Sequence, residues 1–152
     1  TDESANHDFA LSSVIRVKQA IIRHEQPFLC ESIIFARAQE NLAEAEAAYE
    51  AERYNASANR AYYAAFHAAI AALIHFGQVP NIDHAPVRAG FSKYLINEKK
   101  IFPASMTNML KLIMEVRSEA DYAEVGVSRK TSQRQLKMAK QFVETVLSRI
   151  EA

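Results

Sequence analysis

Two sets of polar side chains fall where a helical protein would place apolar ones. Arg60, Tyr63 and His67 are spaced three and then four apart, in register with Ile70 and Ile74. On a helix that spacing puts a guanidinium, a phenol and an imidazole on one face, directed at a common cleft. Arg117, Asp121 and Tyr122 form the second set. Arg117 continues the stripe Met106, Leu110, Ile113 and Ala120, where an unpaired charge is costly, and Asp121 can pair with it one turn later. Such groups can stabilise a phosphate through arginine and move protons through imidazole, carboxylate or phenol. A plain structural account exists for each set: an i,i+4 ion pair for Arg117 and Asp121, a hydrogen-bonded core histidine for His67. An arginine in register with an apolar stripe, twice in one small protein, is what points beyond that account.

Other chemistries find no support. The five histidines, at positions 7, 24, 67, 75 and 84, show neither HxxxH nor HExxH spacing, so no metal site is expected. Gly77, Gly90 and Gly126 are scattered and build no phosphate loop, and no serine sits in a GxSxG turn. No cofactor is implied. The lone Cys30 excludes an internal disulfide and suits a reducing compartment. No apolar run approaches the roughly 20 residues of a membrane span. The first residues also lack a basic-then-apolar export pattern, so a cytoplasmic location is expected.

The elements that must carry these residues read as helices almost throughout. The 152 residues suit one domain, and 49% of them are hydrophobic, enough for a packed core. With 3 Gly and 4 Pro the chain lacks the turns an all-β protein needs. Helical period and punctuation predict helices over about Asp8–Gln26, Phe28–Arg53, Asn55–Phe76, His84–Lys99, Ala104–Glu124 and Ser128–Glu151. Pro27 is read as the stop of the first, Asp83 as the cap of the fourth. The second carries Phe28, Phe35, Leu42 and Tyr49 at seven-residue intervals, with Ala38 and Ala45 between them. The third is apolar on two faces and, with nine alanines among the eighteen residues 56–73, belongs at the centre of a bundle. Its small side chains and the apolar side of the fifth helix are expected to leave a patch that a second copy covers. The fold class is all-α: an up-and-down bundle of about five helices over 28–152, preceded by a helical extension over 1–27.

Charge adds a further pattern. Eighteen basic and eighteen acidic residues cancel, which argues against a strongly basic nucleic-acid binder. The signs are nonetheless segregated. Arg129, Lys130, Arg134, Lys137 and Lys140 occupy an acid-free stretch, and Glu40, Glu44, Glu46, Glu50 and Glu52 a base-free one. Mutual attraction of the two stretches is the first reading; a ridge for a phosphate backbone is the second.

The run Asn59-Arg60-Ala61-Tyr62-Tyr63-Ala64-Ala65-Phe66-His67-Ala68-Ala69, after Tyr54-Asn55-Ala56, resembles the motif of the HEPN domain, especially of small stand-alone prokaryotic HEPN proteins. His84 followed by Phe91 is similar to the fourth-helix pattern of that group. Arg117-Ser118-Glu119-Ala120-Asp121-Tyr122 resembles its R-x-x-A-D-Y element. The resemblance covers about Phe28–Ala152. It implies a helical bundle, usually a homodimer, often paired with a minimal nucleotidyltransferase. It also implies metal-independent RNA cleavage of the toxin–antitoxin or defence type. There an arginine clamps the phosphate, and a histidine separated from it by four to six residues moves the 2′-hydroxyl proton across a dimer cleft. Arg117 matches that arginine, while Asp121 and Tyr122 stand nearest the histidine's place. Arg60 and His67 have the family spacing on another helix. On this resemblance the catalytic candidates are Arg117, Asp121, Tyr122, Arg60 and His67. Asn59 and Tyr63 are the candidate RNA or nucleotide contacts, and Tyr122 is a candidate for nucleotidyl modification. The alternative is a non-catalytic module that binds a nucleotidyltransferase, a nucleotide or RNA through the same cleft.

Overall fold

A computed structural model describes residues 27–78 and 84–152. Their elements are α1 (Pro27–Glu50), α2 (Tyr54–His75), α3 (His84–Gly90), α4 (Ser105–Tyr122) and α5 (Arg129–Glu151), with a π-helical stretch, Phe91–Glu98, continuing α3. Among the described residues there is no strand. The all-α bundle is as expected, and each predicted helix that falls on described residues lies within a few positions of its place. The first predicted helix and the Asp83 cap lie outside the described residues. Two details differ. Pro27 is the first residue of α1, a position where the missing N–H costs nothing; its expected role as the stop of the preceding helix lies outside the described residues. The fourth helix widens after Gly90 into the π-helical stretch, closed by Lys99 N–H on the Tyr94 carbonyl at 2.9 Å.

A three-residue connection folds α2 back along α1. It turns through Glu52 at φ 60° and is closed by Arg53 N–H on the Ala48 carbonyl at 2.8 Å. The pairing is then fixed along its length. Ser57 Oγ donates to the Ala45 carbonyl at 2.8 Å, and at the far end Glu31 Oε1 lies 2.7 Å from His75 Nδ1. Between these contacts Ala38, Ala45, Ala61, Ala64, Ala68 and Ala72 are fully buried, so small side chains bring the backbones close. The helix α2 also packs against α4 and α5, which explains its two apolar faces.

This corrects the expected patch on the alanine-rich helix. Its alanines from Ala58 to Ala72 are covered within one chain, because α1, α4 and α5 surround them. Among the described residues, the large apolar side chains that stay exposed are Ile33, Leu112, Tyr122 and Val125. At the other end of the bundle Phe91 stacks near Phe102 and Phe142, with centroids at 5.1 and 5.3 Å, joining the π-helical stretch to α5. Opposite charge plays the modest part first expected of it. Lys140 Nζ stands 4.0 Å from Glu46 Oε1 with both ends half exposed, a contact of at most about 1 kcal/mol. No helix among the described residues is long and apolar enough to cross a membrane.

The α4–α5 connection is held from α2. Asn55 Oδ1 accepts Val127 N–H at 2.7 Å, and Gly126 sits beside it at φ +72°, where an added Cβ would meet the Asn55 amide at 2.9 Å. Ser128 then caps α5, its Oγ accepting Thr131 N–H at 3.2 Å. This loop sets the C-terminal end of α4 beside the N-terminal end of α2. That juxtaposition brings the two polar sets together.

Candidate functional site

A cleft of about 400 Å³ runs along α1 and α2, lined by Ile34, Arg37, Glu40, Asn41 and Glu44 from the first helix and Arg60, Tyr63 and His67 from the second. The set picked out by spacing on α2 thus lines one wall. Arg60 is held by two amides: its NH2 donates to Asn59 Oδ1 at 2.8 Å and its NH1 to Asn41 Oδ1 at 3.3 Å. Glu44 Oε2 lies 3.9 Å from the same NH1, a loose ion pair whose side chains are 41% and 53% exposed. The guanidinium is therefore oriented without being neutralised.

His67 Nδ1 is 2.8 Å from the Tyr63 carbonyl and 3.3 Å from Asn41 Nδ2. A carbonyl can only accept, so Nδ1 carries the hydrogen and donates to it, and the amide nitrogen is a neighbour rather than a donor. In the neutral ring the lone pair is then on Nε2. This is the hydrogen-bonded histidine of the plainer account, yet it lines the cleft. Asn41 touches both Arg60 and His67, and its Nδ2 donates to the Arg37 carbonyl at 2.9 Å.

The second set closes on the first from α4. Arg117 Nε lies 3.1 Å from Asp121 Oδ2 with side chains 21% and 26% exposed, close enough to pair although the N–H is not aligned for a hydrogen bond. Its NH2 donates to Tyr63 Oη at 3.3 Å, and its guanidinium carbon stands 5.2 Å from the Tyr62 ring centre and 5.6 Å from that of Tyr63. Asn59 Nδ2 donates to both Asp121 oxygens, at 3.1 and 3.3 Å. Arg117, Asp121, Asn59 and Arg60 are thus linked in sequence, with Tyr63 beneath both guanidiniums; Arg60 lies 5.2 Å from its ring centre. Burial pushes the Tyr62 phenol up to about 12, a rise that Arg117 and Arg88 only partly offset.

The HEPN domain model matches residues 32–150. The chain belongs to the HEPN domain family. No individual curated protein matches the sequence. Membership in the HEPN family supports an RNase-like or nucleotide-binding module in general terms, and an arginine-bearing cleft suits either.

Six of the seven candidate residues of this HEPN domain converge: Asn59, Arg60, Tyr63, His67, Arg117 and Asp121. Tyr122 does not join them; it is 82% exposed. Spacing along single helices missed the α1 wall, Arg37, Asn41 and Glu44. One signal was present. Asn41 stands between the buried Ala38 and Ala45 at steps of three and four, a polar residue on an apolar stripe, as Arg117 is on α4. Among the described residues no group of His, Cys, Asp and Glu could hold a metal.

Proposed function

We propose that this HEPN domain is an RNA- or nucleotide-binding module, acting beside a minimal nucleotidyltransferase in a toxin–antitoxin or defence pair. The observation that carries this reading is the contrast between its arginines. Arg60 is oriented by Asn41 and Asn59 and opens into the cleft, whereas Arg117 is partly buried and paired with Asp121 at 3.1 Å. Arg37, on the opposite wall, is exposed and has no carboxylate partner among the described residues. Two such cations around a cleft of this size suit a phosphate ester. Asn59 and Tyr63 then act mainly by fixing Arg60, and His67 by shaping the wall.

Titration of the purified chain with short single-stranded RNA and with mononucleotides tests this reading. Binding that falls at least tenfold in Arg60→Ala, with total RNA left intact in EDTA, supports it. Absence of binding to any of these ligands overturns it.

The cleaving reading is favoured by one specific observation: Asn41 contacts both Arg60 and His67, so a phosphate clamp and a proton carrier lie at one point of the cleft. RNA cleavage in EDTA, abolished by His67→Ala, would establish it in place of the binding role. Proton transfer by Asp121 or Tyr122 belongs to that reading too, with Arg117 as clamp. It would require the Arg117–Asp121 pair to open.

The nucleotidyltransferase pairing rests on the R-x-x-A-D-Y resemblance and on the exposed phenol of Tyr122, which an enzyme can reach. Mass spectrometry after incubation with the neighbouring nucleotidyltransferase and ATP checks it; an unmodified Tyr122 with an active partner counts against that route. A homodimer is part of the same proposal, and light scattering at the monomer mass would remove it.

A further inference from the structure

The cleft contains as many carboxylates as guanidiniums, which a site for bare phosphate would avoid. Glu44 stands beside Arg60 at 3.9 Å, longer than a hydrogen-bonded pair, so its lone pairs are not taken up by that arginine. Arg60 in turn gives only two of its five N–H groups to Asn41 and Asn59. Side by side at the cleft wall, then, are a carboxylate that accepts and a guanidinium that donates.

Resting on the reading of the cleft as a nucleotide site, we propose that it is selective for guanine, with Glu44 and Arg60 reading the base and Arg37 holding the phosphate.

Complementarity of donors and acceptors favours guanine. Guanine presents two adjacent donors, N1–H and the N2 amino group, next to the acceptor O6. A carboxylate meets the two donors with its two oxygens, while an arginine beside it meets O6. Adenine and cytosine each set a ring-nitrogen lone pair against the carboxylate, and uracil offers one donor between two acceptors, so each leaves a desolvated polar group unpaired. Arg37 and Glu44 are seven residues apart on α1, about 10.5 Å along the helix axis at 1.5 Å per residue. That separation is comparable to the length of a mononucleotide from phosphate to base edge. The Asn41 amide lies between them on the same helix and holds Arg60 in place for the base.

Calorimetric titration of the full chain with GMP, IMP, AMP, CMP and UMP is the test. GMP is expected to bind at least tenfold more tightly than AMP, CMP or UMP, with IMP, which lacks the N2 amino group, in between. Glu44→Gln should lower GMP affinity about tenfold without lowering that for AMP, whose ring nitrogen the new amide can meet with a donor. Glu46→Gln, whose residue faces Lys140 outside the cleft, should change neither. Equal affinity for all five nucleotides, or a GMP preference that survives Glu44→Gln, overturns the guanine assignment while leaving the nucleotide site standing. Failure of every nucleotide and of short RNA to bind overturns the nucleotide reading itself, and this assignment with it.

Discussion

Two arginines stand over the same tyrosine ring and do different work. Arg117 reaches Tyr63 from α4, with a carboxylate at 3.1 Å and Tyr62 also beneath it. Arg60 reaches Tyr63 from its own helix, held by neutral amides, with its nearest carboxylate at 3.9 Å. Arg117 and Asp121, paired with each other on α4, fasten that helix to α2 through Tyr63 and Asn59. A charge oriented by dipoles keeps its field for something that arrives. The identity of the partners, more than that of the arginine, separates a fastener from a receptor.

Loss of Arg117 has the largest expected effect. Arg117→Ala leaves Asp121 with Asn59 as its remaining partner and removes the cover from two tyrosine rings, and is expected to cost about 2 kcal/mol, roughly 4–8 °C in melting temperature. Adding Asp121→Asn should recover more than half of that loss. Melting curves of the single and double variants decide the matter. An unchanged melting temperature with lost ligand binding would make Arg117 the receptor instead.

The second expectation exchanges the readouts. Arg37→Ala and Arg60→Ala should each weaken nucleotide or RNA binding about tenfold, about 1.4 kcal/mol, while shifting the melting temperature by no more than about 2 °C. A third variant loosens the seam without touching a charge. Gly126→Ala forces a Cβ to within 2.9 Å of the Asn55 amide at a positive φ, and is expected to cost about 1 kcal/mol. Chemical denaturation should register that loss, with binding preserved.

The smallest effect concerns pH. The folded Tyr62 phenol titrates near 12 and the unfolded one near 10, so the folded state keeps its proton longer. Its contribution is complete below pH 10 and declines as pH rises from there to 12. Tyr62→Phe should flatten the fall in thermal stability over that window alone. A wild-type curve equally steep in the variant would assign the fall to other groups.

The helices and both polar sets were legible in the sequence because each is a pattern along one helix. Arg60, Tyr63 and His67 share a face by spacing, and Arg117 interrupts a stripe of Met106, Leu110 and Ile113. The opposite wall was not legible. Whether Arg37 or Glu44 faces Arg60 depends on how α1 is rotated against α2, and that rotation follows from where Ala38 and Ala45 meet the alanines of α2. The same dependence hid the bond from Asn59 to Asp121, which needs the Asn55-held loop to bring α4 into place. The patch expected on the alanine-rich helix failed for a related reason: a helix apolar on two faces shows its composition but not how many neighbours already cover it.

The buried alanines of α2 have a consequence for entropy. Eight of them, from Ala58 to Ala72, are buried in this helix. An alanine has no rotamers to lose, so each adds contact without the ordering cost that a buried leucine or methionine carries. The rod bearing Arg60, Tyr63 and His67 is thus set against α1 largely by small side chains that have no rotamers to repack. A ligand entering the cleft meets three groups whose separations are already determined, and little of its binding free energy is spent on ordering the helix that carries them.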